Sequence, residues 1–160
     1  MYVGSDSQLT GEDHSIDTCA LGKTWTHQGV LVGYCGGPVF ENELRYSDMI
    51  DPLAMSLLQG DDPFADMAGI IRKMKDLDET KIEDLQVLFC YGGRIFVIVG
   101  STPFEARDET AIGSGAAYAK GALRTLKKGG PRQRVKRAIE VACELDATCG
   151  PPIRVEVHPA

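Results

Sequence analysis

The run from Ala111 to Leu123, AIGSGAAYAKGAL, limits what this chain can fold into more than any other stretch. It reads as the end of a strand, a turn of small residues, and a helix whose first turns are nearly all small. Ser114 has the side chain of an N-cap, since its hydroxyl can accept from an orphan backbone N–H one turn on. Gly113 and Gly115 admit positive φ and leave no Cβ in the way of a neighbouring backbone. Ala116, Ala117, Ala119, Gly121 and Ala122 then form a helix face that packs closely on whatever it meets. A glycine turn opening a helix also gathers free N–H groups where a phosphate can bind. The sequence has no Gly-Lys-Ser or Gly-Lys-Thr, however, so close packing is the stronger reading.

The segments on either side supply elements of two kinds. Tyr2–Ser5 is a short strand, and the polar stretch from Asp6 to Glu12 turns the chain. Ser15–Gln28 is strand-like and broken at Gly22, and Gly29 marks a turn into Val30–Cys35, a buried strand. Gly36-Gly37-Pro38 ends that strand. Helical spacing follows: Phe40, Leu44 and Tyr46 on a first stretch, then Ile50, Leu53, Ala54, Leu57 and Leu58, with Pro52 placed to restart the helix. Asp62 as N-cap and Pro63 at the first helical position open another helix, with Phe64, Met67, Ile70, Ile71 and Met74 on one face. The two helices are expected antiparallel on one face of a sheet.

Leu85–Tyr91 and Arg94–Val99 flank Gly92-Gly93, the strongest hairpin signal in the chain. Thr102–Arg107 and Thr110–Ile112 are candidate short strands. After the Ser114–Leu126 helix, Lys127–Pro131 supplies lysines and glycines suited to a helix C-terminus. Val135, Ala138, Ile139, Ala142 and Leu145 mark a further amphipathic helix. Pro151-Pro152 stops it, and Ile153–Val157 is a last strand. Strand runs alternating with helix pairs imply a layered α+β fold, not a parallel βαβ wind. Two stacked sheets, each covered by helices, would bury every apolar stripe named here. With 160 residues, no repeat and no linker, residues 1–160 read as a single domain.

Composition excludes several classes. A net charge of −6 opposes nucleic-acid binding, which needs a basic field. No apolar run approaches the ~20 residues of a membrane span. The N-terminal residues carry no signal-peptide pattern, and a cytoplasmic protein is expected. The five cysteines, Cys19, Cys35, Cys90, Cys143 and Cys149, form no Cys-x-x-Cys pair. They read as buried, reduced thiols, with no metal site and no cofactor expected. His14, His27 and His158 are scattered and carry no motif. Trp25 and Phe40 read as core or subunit contacts.

Several strings, in order, resemble the proteasome β-subunit family, most closely its HslV-type members. GSDSQLTG at Gly4–Gly11 resembles the family's "ADSQAT" segment. Lys23, followed by VLVGYCGG at Val30–Gly37, resembles the lysine-bearing strand and the "GFAGG" strand. AIGSGAAYAKGAL resembles "AIGSGGPYA", and CELDATCGPPIRVEV resembles the last helix and strand. The resemblance covers the whole chain and implies a four-layer αββα sandwich of the N-terminal nucleophile hydrolase type. It further implies a homo-oligomeric ring that degrades unfolded polypeptide delivered by an AAA+ unfoldase ATPase.

The nucleophile of that family is an N-terminal threonine whose own α-amine serves as base. A hydroxyl needs such a base within hydrogen-bond reach, an α-amine titrates near 8, and the oxyanion needs preplaced N–H donors. Carried over by position, Lys23 matches the lysine that tunes the amine, and Asp6 the aspartate after the first hairpin. Ser114 matches the serine of the Gly-Ser-Gly turn, and Asp146 the later aspartate. Gly36 or Gly37 offers the oxyanion N–H. The family's threonine strand precedes the segment in which Met1 stands, and Met1 has neither hydroxyl nor thiol, while Ser5 and Ser7 lack a free amine. A threonine peptidase with its nucleophile upstream of Met1 is therefore the expected activity. The alternatives are a catalytically silent structural or assembly subunit and a small-molecule amidohydrolase on the same scaffold. Read without the resemblance, Lys23 is a surface lysine, Asp6 a turn residue, Ser114 a helix cap and Asp146 a solvated helix end.

Overall fold

A computed structural model describes residues 1–10, 16–18 and 21–158. The end of the expected polar turn, His14 and Cys19 lie outside them. The chain gathers into two compact units, Met1–Trp25 with Asp108–Ala160, and Thr26–Arg107.

The continuous unit is built on an antiparallel sheet. Strand β4 (Thr24–His27), through which the chain enters this unit, precedes β5 (Val30–Cys35), β6 (Gln86–Tyr91), β7 (Arg94–Val99) and β8 (Thr102–Ala106); the sheet keeps that order. Each connection is a short turn except that from β5 to β6, which carries the helices. The β6–β7 hairpin closes on the Tyr91–Arg94 pair. Gly92 and Gly93 have φ of 54° and 78°, the left-handed pair that a two-residue primed turn requires. Phe89 faces Phe96 across that ladder, and both are fully buried.

Three helices follow β5. Helix α1 (Pro38–Tyr46) begins with its proline in the first turn and buries Phe40 and Leu44. A 3-10 turn at Asp48–Ile50 leads into α2 (Asp51–Gln59), so Pro52 restarts the helix as its position predicts. Helix α3 (Phe64–Leu77) buries Met67, Ile70, Ile71 and Met74, the predicted stripe. Its N-cap is Pro63, not Asp62, but Asp62 still supplies the side chain that accepts from Phe64 N at 3.1 Å. Tyr46 and Leu58 stand exposed rather than in the core. Each falls at the margin of its helix's apolar stripe, where the 3.6 period alone does not separate the last buried position from the first solvated one.

The discontinuous unit pairs β1 (Tyr2–Ser5) with β9 (Arg154–Val157), antiparallel, and β2 (Gln8–Thr10) with β3 (Ile16–Thr18). Strand β2 falls inside the stretch expected to be only a turn. Helices α4 (Ala116–Thr125) and α5 (Pro131–Leu145) pack on each other, and α5 lies on β1. Gly4 makes that approach possible, because a Cβ there would strike Val135 at 2.7 Å and would also collide with Ile139. Ala138 and Ala142 are buried on α5 while Leu145, in its last turn, is exposed. Residues Thr110–Ile112 form no strand.

Candidate functional site

Asp6 sits where β1 ends, and its carboxylate is the meeting point of three donors. Lys23 Nζ donates to Oδ1 at 2.9 Å and Oδ2 at 3.1 Å. The backbone N–H of Gln8 donates to Oδ2 at 3.2 Å, and that of Gly150 at 3.3 Å. The two side chains are only 17% and 13% exposed, so this is a largely desolvated ion pair and not the surface lysine of the plainer reading. A carboxylate accepting two N–H groups and an ammonium is well satisfied, which keeps such a pair tolerable away from water. The turn after α5 is drawn in by a further bond from Ser7 N to Gly150 O at 3.0 Å. Gly150 has no room for a side chain, since its Cβ would meet the amide of Gln8, which donates to Ala147 O at 2.7 Å.

The second cluster of the same unit joins Ser114 to Asp146 through a residue absent from the expected set. Asp146 is the C-cap of α5, and Thr148 bonds it twice, from N at 2.9 Å and from Oγ1 at 2.6 Å. Ser114 Oγ lies 2.6 Å from Thr148 Oγ1 and 3.7 Å from Cys149 Sγ. Thr148 has one hydroxyl proton and gives it to the carboxylate, so Ser114 donates to Thr148. The cap expected of Ser114 is absent: Gly115 is the N-cap of α4, without a side-chain bond. Tertiary contact wins over local capping because Thr148 offers the serine a partner and Gly115 lets the turn come close. A Cβ on Gly115 would stand 2.6 Å from Cys149 Sγ and 3.0 Å from Ala142 Cβ.

Charge in this region follows from those contacts. Thr148, by its hydroxyl and then its N–H, holds the Asp146 carboxyl below the usual range, with smaller help from Ser114 and Cys149. Burial raises the Cys149 thiol, against its contact with the Ser114 hydroxyl. Burial also pushes Cys143 up to about 11; the charge of Asp6 adds to this and that of Lys23 opposes it. The thiols beside the Asp6–Lys23 pair are therefore neutral near pH 7, as expected of reduced, unreactive cysteines. None of Cys35, Cys90, Cys143 and Cys149 is in a disulfide; Cys90 is buried as expected, whereas the other three are only half-buried.

Gly36 and Gly37 belong to the other unit, between β5 and α1. Gly36 has φ of 148°, and Gly37 is the N-cap of α1. The hydroxyl of Tyr34 donates to Gly37 O at 2.7 Å. Sequence reasoning did not single out Thr148, Cys149 or Tyr34. The signal for Thr148 was present in Asp-Ala-Thr, an aspartate two residues before a threonine N–H, which is the spacing of an Asx turn. Among the described residues no group of three or more His, Cys, Asp or Glu could hold a metal, and no helix is long and apolar enough to cross a membrane.

Known structures resemble this chain closely in fold. Eukaryotic HslV from Trypanosoma brucei superposes with a TM-score of 0.74, covering 97% of this chain and 91% of its own at 16% identity. This is a proteasome-type fold. BPH from Thiobacillus denitrificans gives 0.72 over 97% and 90% at 17% identity, and it has also been solved in complex with epoxomicin. Anbu, the ancestral β-subunit from Yersinia bercovieri, gives 0.62 over 99% and 77% at 20% identity. No protein-family model and no curated protein matches the sequence. The layered α+β fold expected from the element order agrees with these likenesses, which extend over nearly the whole chain.

Proposed function

We propose that this chain is the subunit of an HslV-like threonine peptidase, hydrolysing peptide bonds of unfolded polypeptide inside a homo-oligomeric ring. The observation that carries the reading is the Asp6–Lys23 pair, an ammonium held by a largely buried carboxylate in a proteasome-type fold. Lys23 lowers the proton affinity of a terminal threonine's amine, so that the free amine takes the hydroxyl's proton as it attacks the scissile carbonyl. Asp6 fixes the lysine. Ser114 and Asp146 order the turn beside the amine through Thr148, and an N–H at Gly36 or Gly37 receives the developing oxyanion. The nucleophile is a terminal threonine, and an AAA+ unfoldase ATPase supplies the substrate. The reaction needs no cofactor, and the site works in the cytoplasm.

The test is mass measurement of the N-terminus of the native protein, together with turnover of a fluorogenic peptide. A terminal threonine, and turnover abolished by Lys23→Ala, are expected. A native chain that begins at Met1 and is inert to peptides defeats the proposal.

A second reading is a catalytically silent structural or assembly subunit: the contacts of Ser114 with Thr148, Cys149 and Asp146 serve to order a turn and by themselves require no catalysis. Peptide turnover by the native protein would exclude this reading.

A further inference from the structure

We propose that Tyr34 is a positioning residue for the oxyanion turn: its hydroxyl, bonded to Gly37 O at 2.7 Å, holds the Gly36-Gly37 backbone in one orientation. This rests on the peptidase reading above, in which Gly36 or Gly37 presents the N–H.

Two consecutive glycines make the least restrained piece of backbone a chain can offer. An oxyanion hole acts by donors that are already aimed, so a Gly-Gly turn needs something outside itself to hold it. Three features of the structure do so. Pro38 follows Gly37, has no N–H and fixes its own φ at the start of α1. Tyr34 holds the Gly37 carbonyl from a strand position at which it is 3% exposed. The same hydroxyl occupies the space where a Cβ on Gly36 would lie, with the ring's Cζ 2.9 Å and Asp84 O 3.4 Å from that point. Gly36 is therefore confined between the tyrosine and a backbone carbonyl, at a φ of 148° that suits only glycine.

A phenylalanine would fill this buried position on β5 without needing a partner. The hydroxyl is what reaches the turn. Burial raises the phenol well above its usual range, and the charges of Glu41, Cys35 and Asp84 add to the effect. Tyr34 accordingly stays a donor at any pH where peptide hydrolysis runs.

The test compares the native protein with Tyr34→Phe, Tyr34→4-aminophenylalanine and Tyr46→Phe, a change at an exposed tyrosine. Two quantities are read: amide hydrogen exchange at Gly36 and Gly37 by NMR, and kcat and KM on a fluorogenic peptide. Tyr34→Phe is expected to speed exchange at the two glycines about tenfold and to lower kcat about tenfold, less than the loss of a whole oxyanion donor. KM stays unchanged, because the interaction is made only in the transition state. The aminophenylalanine, which keeps a donor at the ring's para position, restores both, and Tyr46→Phe alters neither. If Tyr34→Phe does not fold, the aminophenylalanine protein carries the comparison, and exchange at Gly36 and Gly37 tenfold faster than native in that protein overturns the proposal. Unchanged exchange and kcat in folded Tyr34→Phe, or a raised KM with kcat intact, overturns it as well. A native protein inert to peptides defeats the peptidase reading instead, and the exchange rates then decide the role of Tyr34 alone.

Discussion

Replacing Gly115 by alanine sets two opposed effects against each other, and the structure decides between them. Gly115 has φ −75° and ψ 1°, a conformation any residue adopts. In open space the alanine would therefore stabilise by about 0.4–1 kcal/mol, through the lost freedom of the unfolded chain. But the new methyl stands 2.6 Å from Cys149 Sγ and 3.0 Å from Ala142 Cβ. Ala142 has no rotamer to change, so the two helices must separate. Overpacking of this kind costs about 1–3 kcal/mol, leaving a net loss of about 1–2 kcal/mol. At this chain length that lowers the melting temperature by about 3–6 °C. Gly121, in the middle of α4 with nothing within 4 Å of its Cβ position, is the control. There alanine should stabilise by about 0.5–1 kcal/mol. Adding Cys149→Ala to Gly115→Ala removes the nearer obstacle and leaves the farther one, so a favourable coupling of about 0.5–1 kcal/mol is expected. Urea unfolding of the wild type, Gly115→Ala, Gly121→Ala, Cys149→Ala and the double variant Gly115→Ala with Cys149→Ala measures these free energies, and thermal unfolding the melting temperature. Gly115→Ala as stable as Gly121→Ala, or no coupling to Cys149, would refute the argument that close contact with the Cys149 turn is what requires glycine there.

Three further outcomes are expected. Asp146 has a folded pKa below its unfolded value of about 3.9, so its stabilising contribution is fully present above that pH and is lost as pH falls through the folded value. Thr148→Val removes the first cause of the shift and should raise the Asp146 midpoint in a carboxyl NMR titration; an unmoved midpoint contradicts the assignment. Gly93→Ala, forced to φ of 78°, should cost about 1–2 kcal/mol in thermal unfolding, whereas Gly92→Asn should be tolerated, and equal losses would exclude the primed turn. Asp6→Ala should destabilise more than Lys23→Met, by about 1–3 kcal/mol in urea unfolding, because it removes the shared acceptor of two backbone N–H groups and an ammonium where the other change removes one donor; the reverse order would show that the lysine alone holds this turn.

The parts of the fold legible in the sequence are those whose cause is local. Gly92-Gly93 between two β-rich runs defines its own hairpin, and the spacing of Met67, Ile70, Ile71 and Met74 needs no tertiary knowledge. Strand β2 was not legible, because Gln8–Thr10 is three residues with one apolar side chain, too short for a period to show, and it is a strand through its pairing with residues 16–18. Ser114 has the chemistry of a cap, but its hydroxyl goes to a threonine 34 residues away, which no local rule foresees. The Asp6–Lys23 pair, 17 residues apart, came from likeness to a family and not from spacing. The bond from Tyr34 to Gly37 spans three residues, yet nothing in Tyr-Cys-Gly-Gly says that the ring folds back over the turn.

The contacts of Asp6 explain which member of the ion pair sets the geometry. Lys23 reaches the site on a flexible stem, and an ammonium has no preferred direction of its own. Asp6 receives N–H groups from the start of β2 and from the turn after α5, so its carboxylate is fixed by backbone on two sides before the lysine arrives. The ammonium is placed by the carboxylate and not the reverse. The Gly150 turn that holds Asp6 directly follows Thr148 and Cys149, which meet Ser114. The short segment Asp146–Gly150 thus fixes both clusters at once. Gly115 meets this segment at Cys149, one residue before the Gly150 N–H that Asp6 accepts, so the packing of α4 and the placing of the carboxylate lean on the same turn.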